Sequence, residues 1–263
     1  MFKRISTFLY GVVSYGVGVA ALVALILITL GVLGFTGGPV SIESFAGALV
    51  FNVALLLAFG IQHSVMARKW FKERWTKIIP EAAERSTFVL ATALVLGPAL
   101  YLWQPMPEVI WDVSNPIARV ALTAACVAGW GYLFVSTFAI DHFELFGLRQ
   151  VWDAMRGNKT ERTSFQEKWM YRFDRHPIMT GAILGIWMTP TMTADHLLLA
   201  VMSTLYVMVG VHFEERALRR EWGERYAEYA SRVGTIVPRL PLGKRAPTTS
   251  EERRTGSRPY AAS

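Results

Sequence analysis

The sequence predicts an all-α integral membrane protein of about six (five to six) transmembrane helices. Three observations predict it. First, the 263 residues are 52% hydrophobic and only 18% charged, with mean hydropathy +0.31. An average soluble domain is about 45–50% apolar and about 25% charged. That balance excludes a disordered chain, a basic nucleic-acid-binding domain and most water-soluble enzymes. Second, six apolar segments stand out, and a bilayer core needs about 20 mostly apolar residues per helix. Third, all but one of the 27 Lys and Arg fall before the first segment, in alternate loops, or after the last segment.

The segments are Phe8–Phe35, Phe45–Val65, Phe88–Trp103, Ile117–Ile140, Ile178–Met192 and Leu197–Phe213. The first follows Lys3 and Arg4, but its apolar run is far longer than the 7–15 residues of a signal peptide and no small-residue cleavage site follows. It reads as a retained helix. The fifth is short and carries Gly181, Gly185 and Pro190. It reads as a tilted or incomplete span, paired with the sixth as a hairpin through Thr191–His196. Positive residues stay cytoplasmic, so six crossings with both termini inside fit every basic residue except Arg119. The net charge of +7 then needs no nucleic acid to explain it. Trp103, Trp111 and Trp152 fall near the expected interfaces. Residues 1–240 read as one transmembrane domain, and 241–263, rich in Pro, Thr, Ser and charge, as a disordered tail. The single cysteine, Cys126, excludes an intramolecular disulfide and reads as a small buried thiol.

The outer loops are short and the inner ones long and rich in ionisable groups, so any chemistry faces the cytoplasm. Four of the five histidines, His63, His142, His176 and His212, sit at inner helix ends. Ionisable groups in or near a span are costly and raise a functional question by default; the bland alternative is solvation at headgroup level. His63 stands out because Gln62, His63 and Ser64 are consecutive polar residues after a long apolar run. No two histidines are spaced as a helical metal pair, and no metal is expected. Haem needs no local spacing.

Three inner segments concentrate polar types. Asp141 and His142 end the fourth span; adjacent on a helix, they diverge by about 100°, and Arg149 and Gln150 follow as anion donors. Arg175 and His176 precede Pro177, which suits the first position of a helix and biases His176 to an extended backbone. That place, just outside a helix N-terminus, attracts anions. Glu214 and Glu215 directly follow the last span, with Glu215 and Arg219 at i, i+4 and Tyr226 and Tyr229 at i, i+3. Alone, the last stretch reads as a salt-bridged cytosolic helix.

Taken together, Arg175-His176-Pro177, Gly181, Glu214-Glu215, Leu218, Trp222-Gly223, Tyr226, Tyr229, Val233 and Pro238 resemble the isoprenylcysteine carboxyl methyltransferase-like membrane methyltransferases. The match covers Tyr171–Pro238, with Met179 in place of the family Tyr and Trp222 in place of Phe. Gln62–Arg68, Glu84–Thr87, Asp141–Trp152 and Pro190–Thr193 are similar to the bacterial methanethiol S-methyltransferases, which also resemble NnrU-type membrane proteins.

The resemblance implies transfer of a methyl group from S-adenosylmethionine to methanethiol, giving dimethyl sulfide, in a bacterial inner-membrane protein with no obligatory protein partner. It implies a cytoplasmic donor pocket over 171–238 and a C-terminal cytosolic helix. Arg175 and His176 are candidates to hold the methionine carboxylate, with Pro177 beside them in the cofactor-binding set, Glu214 or Glu215 the amino group or ribose hydroxyls, and Tyr226 and Tyr229 to wall the adenine or to pack the helix. The acceptor is small, volatile and membrane-permeable, so it has a lateral route. The thiolate is the nucleophile, so a base is wanted: His142 or Asp141 first and His63 second, with Arg149 stabilising the thiolate. The rivals are a methyltransferase for hydrogen sulfide or an isoprenylcysteine-like thioether, a haem-binding NnrU-like isomerase or electron carrier using His63 with His142 or His212, and a non-catalytic scaffold.

Overall fold

The computed structural model describes residues 1–159, 167–236 and 238. The expected tail and the basic residues Arg162 and Arg239 lie outside them. Helices dominate: α1 (Phe2–Thr29), α2 (Phe45–Ala67), α3 (Lys69–Trp75), α4 (Glu84–Leu102), α5 (Pro116–Ile140), α6 (His142–Leu145), α7 (Leu148–Arg156), α8 (Pro177–Trp187) and α9 (Ala194–Arg232). Five of the described helices are long and apolar enough to cross a membrane, namely α1, α2, α4 with its preceding turn, α5 and α9. The chain is an all-α integral membrane protein. Val13, Leu57, Ile61, Val120, Leu205 and Val209 stand exposed on these helices, as a lipid solvent permits.

The fifth segment resolves into something shorter than a span. Helix α8 has 11 residues, about 16 Å at 1.5 Å per residue. It starts beside the end of α5, where Tyr132 faces Asp174. The chain then runs extended to β2 (Thr191–Thr193), which pairs antiparallel with β1 (Val109–Asp112) in the α4–α5 connection. Helix and extended stretch together therefore cover the length of α5. The two strands were expected as plain loop; at four and three residues they are too short to show a period. They are pinned by Asp112, which accepts from Arg119 Nη1 (2.8 Å) and Thr191 Oγ1 (2.7 Å). Arg119, the one basic residue outside the charge pattern, is thereby neutralised.

Contact between α5 and α8 is backbone to backbone. A Cβ on Gly181 would lie 2.5 Å from the Leu133 amide nitrogen and 2.7 Å from the Gly129 carbonyl oxygen, so only glycine allows this approach, as at small-residue interfaces between membrane helices. Around it lies the core of Cys126, Trp130, Leu133, Ile186 and Ala200, faced by Leu22 and Ile26 of α1. Cys126 is buried and donates to Gly185 O at 3.1 Å. Trp103, at the end of α4, is buried against Phe35. Asn52 and Gln104 exchange two 2.8 Å hydrogen bonds there, tying α2 to the end of α4.

Candidate active site

Two polar groups lie near the end of the bundle where α5 stops and α8 starts. The first is built on the Asp174–Pro177 segment. Pro177 opens α8, and His176 is extended (φ −128°, ψ 58°). Fully buried Asp174 accepts from the His176 amide at 2.9 Å; burial pushes its carboxyl above the usual range. Glu215 Oε1 accepts three hydrogen bonds: Arg175 Nε at 2.7 Å, Tyr226 OH at 2.8 Å and His176 Nε2 at 3.0 Å. The other nitrogen of His176 lies 3.5 Å from Glu214 Oε2, and Glu214 is half exposed. Burial pulls the His176 pKa down, but the two glutamates outweigh it and the net shift is upward. Arg175 also donates to the carbonyls of Ala230 (2.8 Å) and Val233 (2.6 Å) and to Thr235 Oγ1 (2.7 Å). It therefore clamps the end of α9 as well as Glu215.

Tyr226 reaches Glu215 because α9 is broken. Eleven residues of straight helix would separate the two by about 16 Å. At Gly223 the backbone takes φ 51°, ψ −128°, a region open essentially to glycine alone. The break folds the last turns of α9 back onto the Arg-His-Pro segment. Tyr226 and Tyr229 are almost fully buried there, and Tyr229 OH donates to Tyr171 O at 2.6 Å. A bridge between Asp174 and Gly234 and a 2.6 Å bond from Thr180 Oγ1 to Ile236 O complete the strap.

The second group surrounds His142. Asp141 caps α6, accepting from the Glu144 amide at 2.9 Å, and pairs with Arg149. His142 turns the other way, is 3% exposed and stacks on Phe138 with ring centroids 4.4 Å apart. Its tautomer follows from its neighbours. Thr137 Oγ1 gives its only hydrogen to Phe134 O at 2.6 Å. It must then accept from His142 Nδ1–H at 2.8 Å. That leaves Nε2 as the bare nitrogen, which accepts from Tyr15 OH at 2.9 Å. Burial lowers the His142 pKa, against the opposing charge of Asp141, so the ring is neutral at pH 7 and Nε2 can take a proton.

A cleft of about 520 Å³ lies beside the second group, lined by Phe138, Asp141, His142, Phe143, Lys168 and Trp169. Trp169 sits at φ 50°, and the 3-10 turn it begins, Trp169–Arg172, leads into the Asp174 segment. His63 lies elsewhere, between α2, α4 and α9. It bonds Thr92 Oγ1 at 3.2 Å and faces Phe59, Phe88 and Tyr206.

Known proteins place the chain in a family. The methanethiol S-methyltransferase of Mycobacterium tuberculosis is 44% identical over 245 residues, 90% of this chain and 97% of its own. Methanethiol S-methyltransferase 2 of Bradyrhizobium diazoefficiens is 41% identical over 262 residues, 98% of this chain and 99% of its own. The chain belongs to the methanethiol S-methyltransferase family. Nurim of Bos taurus is also similar, 30% identical over 185 residues, 67% of this chain and 70% of its own. No family model and no solved structure matches the chain.

Several residues that build these two polar groups and the cleft escaped the sequence reading. Tyr15 and Thr137 set the His142 tautomer but belong to apolar helices, where a lone hydroxyl gives no signal. Trp169 and Lys168 lie in a loop without periodicity. Asp174, next to Arg175, was hidden by its neighbours' charge.

Proposed function

We propose that the protein methylates methanethiol to dimethyl sulfide with S-adenosylmethionine as donor. Its relatives' names support the acceptor. At the site, the observation that carries the reading is the fixed tautomer of His142, whose ring lines the cleft and whose Nε2 accepts from the Tyr15 hydroxyl.

The residues present fit a donor with a zwitterionic amino-acid end and an apolar adenine. In the cleft, Lys168 supplies positive charge for a carboxylate and Trp169 and Phe138 aromatic faces; half-exposed Glu214, beside His176, is an acceptor for an ammonium or ribose hydroxyl. When bound, S-adenosylmethionine supplies an electrophilic methyl whose bond to the sulfonium breaks, the electron pair staying on the departing sulfur. Tyr15 OH passes its hydrogen to His142 Nε2 as it takes the thiol proton, leaving a thiolate whose lone pair forms the new S–CH3 bond. Arg149, beside Asp141, offers the thiolate a cation. A positioned base contributes typically 10²–10⁴-fold, and holding both sulfurs in line supplies the rest. Arg175, Glu215, Tyr226 and Tyr229 act by holding His176 and the strap. Pro177 fixes where α8 begins.

By the positive-inside rule, both termini and the cleft face the cytoplasm of the inner membrane. Residues 1–240 then work as one unit, with 171–238 as its donor-binding part. The test is headspace gas chromatography on purified protein given donor and methanethiol. Dimethyl sulfide formed only with both protein and donor is the expected result. No product from folded protein that still binds S-adenosylhomocysteine would reject the acceptor. No product and no binding, with a Soret band, would replace the reading with a haem protein.

A further inference from the structure

A second cleft, of about 440 Å³, lies on the other side of Asp141. Its walls are Phe8 and Val12 of α1, Phe143, and Leu148 and Trp152 of α7; the Asp141–Arg149 pair supplies its polar part. The two clefts share Asp141 and Phe143. Phe8, Val12 and Tyr15 follow one another at i, i+4 and i+7, so they form one stripe of α1. That stripe runs from the second cleft to the Tyr15 hydroxyl, which is bonded to His142 Nε2. Phe143 and Trp152 remain 51% and 40% exposed, so the apolar walls are open to the membrane boundary.

Size and chemistry decide what fits. Methanethiol has two heavy atoms; at about 30 Å³ per water-sized group it fills roughly 60 Å³. The cleft is several times larger, and five of its seven lining residues are apolar or aromatic. We propose that this cleft receives the acceptor, and that it admits thiols bearing larger apolar groups than methyl. The inference rests on the methyltransferase reading above. For such an acceptor R–SH the chemistry is unchanged. The S–H proton goes to His142 through Tyr15, an S–CH3 bond forms, the donor's S–CH3 bond breaks, and R–S–CH3 leaves. The Asp141–Arg149 pair lies where the thiol sulfur would pass from the apolar cleft to the donor cleft.

The experiment compares methanethiol, ethanethiol and 1-butanethiol as acceptors for the full-length protein in lipid nanodiscs, with product read by headspace gas chromatography. Each buried methylene is worth about fourfold, so kcat/KM should rise along the series. Because longer thiols also partition into lipid, the deciding readout is a ratio within one lipid composition. Val12→Trp fills the cleft from α1 and should lower the butanethiol-to-methanethiol ratio about tenfold. Leu148→Trp does the same from α7 if the first variant fails to fold. Turnover of methanethiol with butanethiol rejected, or a ratio that neither variant moves, would overturn the inference while leaving the methyltransferase reading intact. Butanethiol rejected, with a co-purified lipid that Val12→Trp expels, would assign the cleft to lipid instead. No turnover of any thiol would remove the reading and the inference together.

Discussion

His142 and Asp141 are neighbours in the chain but do different work. Asp141 caps a helix and pairs with Arg149, whereas His142 turns towards α1. The sequence reading separated them by the 100° divergence of adjacent helical residues, whereas in the structure Asp141 stands between α5 and α6 with φ 168°, ψ 99°, and only His142 is helical. The partner Tyr15, 127 residues away, was not legible in the sequence, because only folding brings it there. If Nε2 is the base, His142→Ala should lower kcat by about 10²–10⁴-fold while S-adenosylhomocysteine binding by calorimetry stays within twofold. Full turnover in that variant would remove the assignment. The pH profile follows from the sign of the shift. Burial lowers the His142 pKa below its ordinary 6.5, so the acid limb of kcat/KM should lie below pH 6.5. The two glutamates separate in the same way. Glu215 is buried and takes three donors, and removing one partner of a buried ion pair costs about 3–5 kcal/mol. Glu215→Ala should therefore unfold or strongly destabilise the protein in a thermal-shift assay. Glu214→Gln should leave Tm nearly unchanged and raise KM for the donor. His176 has a folded pKa above the ordinary 6.5. Its contribution to stability is thus complete below pH 6.5 and is lost as pH rises through the folded value; a Tm that climbs over that range would contradict the ion pairing with Glu214 and Glu215.

At the scale of elements, long helices were legible because bilayer thickness imposes their length and apolarity. What escaped were features shorter than a period. The strands β1 and β2 have four and three residues. The break in α9 depends on one backbone conformation at Gly223, which leaves no trace in hydropathy; Tyr226 and Tyr229 were read along a straight helix. The short fifth segment was legible as incomplete from Gly181, Gly185 and Pro190. Its close seat on α5, with Leu133 N where a Gly181 Cβ would be, needed the structure. Gly223→Ala forces a side chain into a region that costs about 1–3 kcal/mol. It should detach Tyr226 from Glu215 and weaken donor binding by calorimetry more than it lowers Tm. Equal donor affinity in that variant would mean that the fold-back of α9 does not shape the donor site.

For the whole molecule, the argument turns on sidedness. The proposed donor is charged and the proposed acceptor is a small apolar thiol that can approach through lipid, so the proposal requires the two clefts around Asp141 to sit at the cytoplasmic boundary. Charge placement points the same way: the end holding Arg4, Arg68, Arg85, Arg149 and Arg175 carries the site, and the opposite end carries Asp112, Arg119 and the β1–β2 pair. The one cysteine, Cys126, is buried in the α5–α8 core and donates to Gly185 O, so Cys126→Ser keeps a donor there and clears the background for labelling. In that background, Ser114→Cys, exposed beyond β1, and Ser6→Cys, exposed near the start of α1, report opposite ends. A membrane-impermeant maleimide applied to spheroplasts should label the first without permeabilisation and the second only after it. Labelling in the reverse order would invert the molecule. It would place the donor cleft outside, where no cytosolic methyl donor reaches it, and the proposed reaction could not run in a living cell.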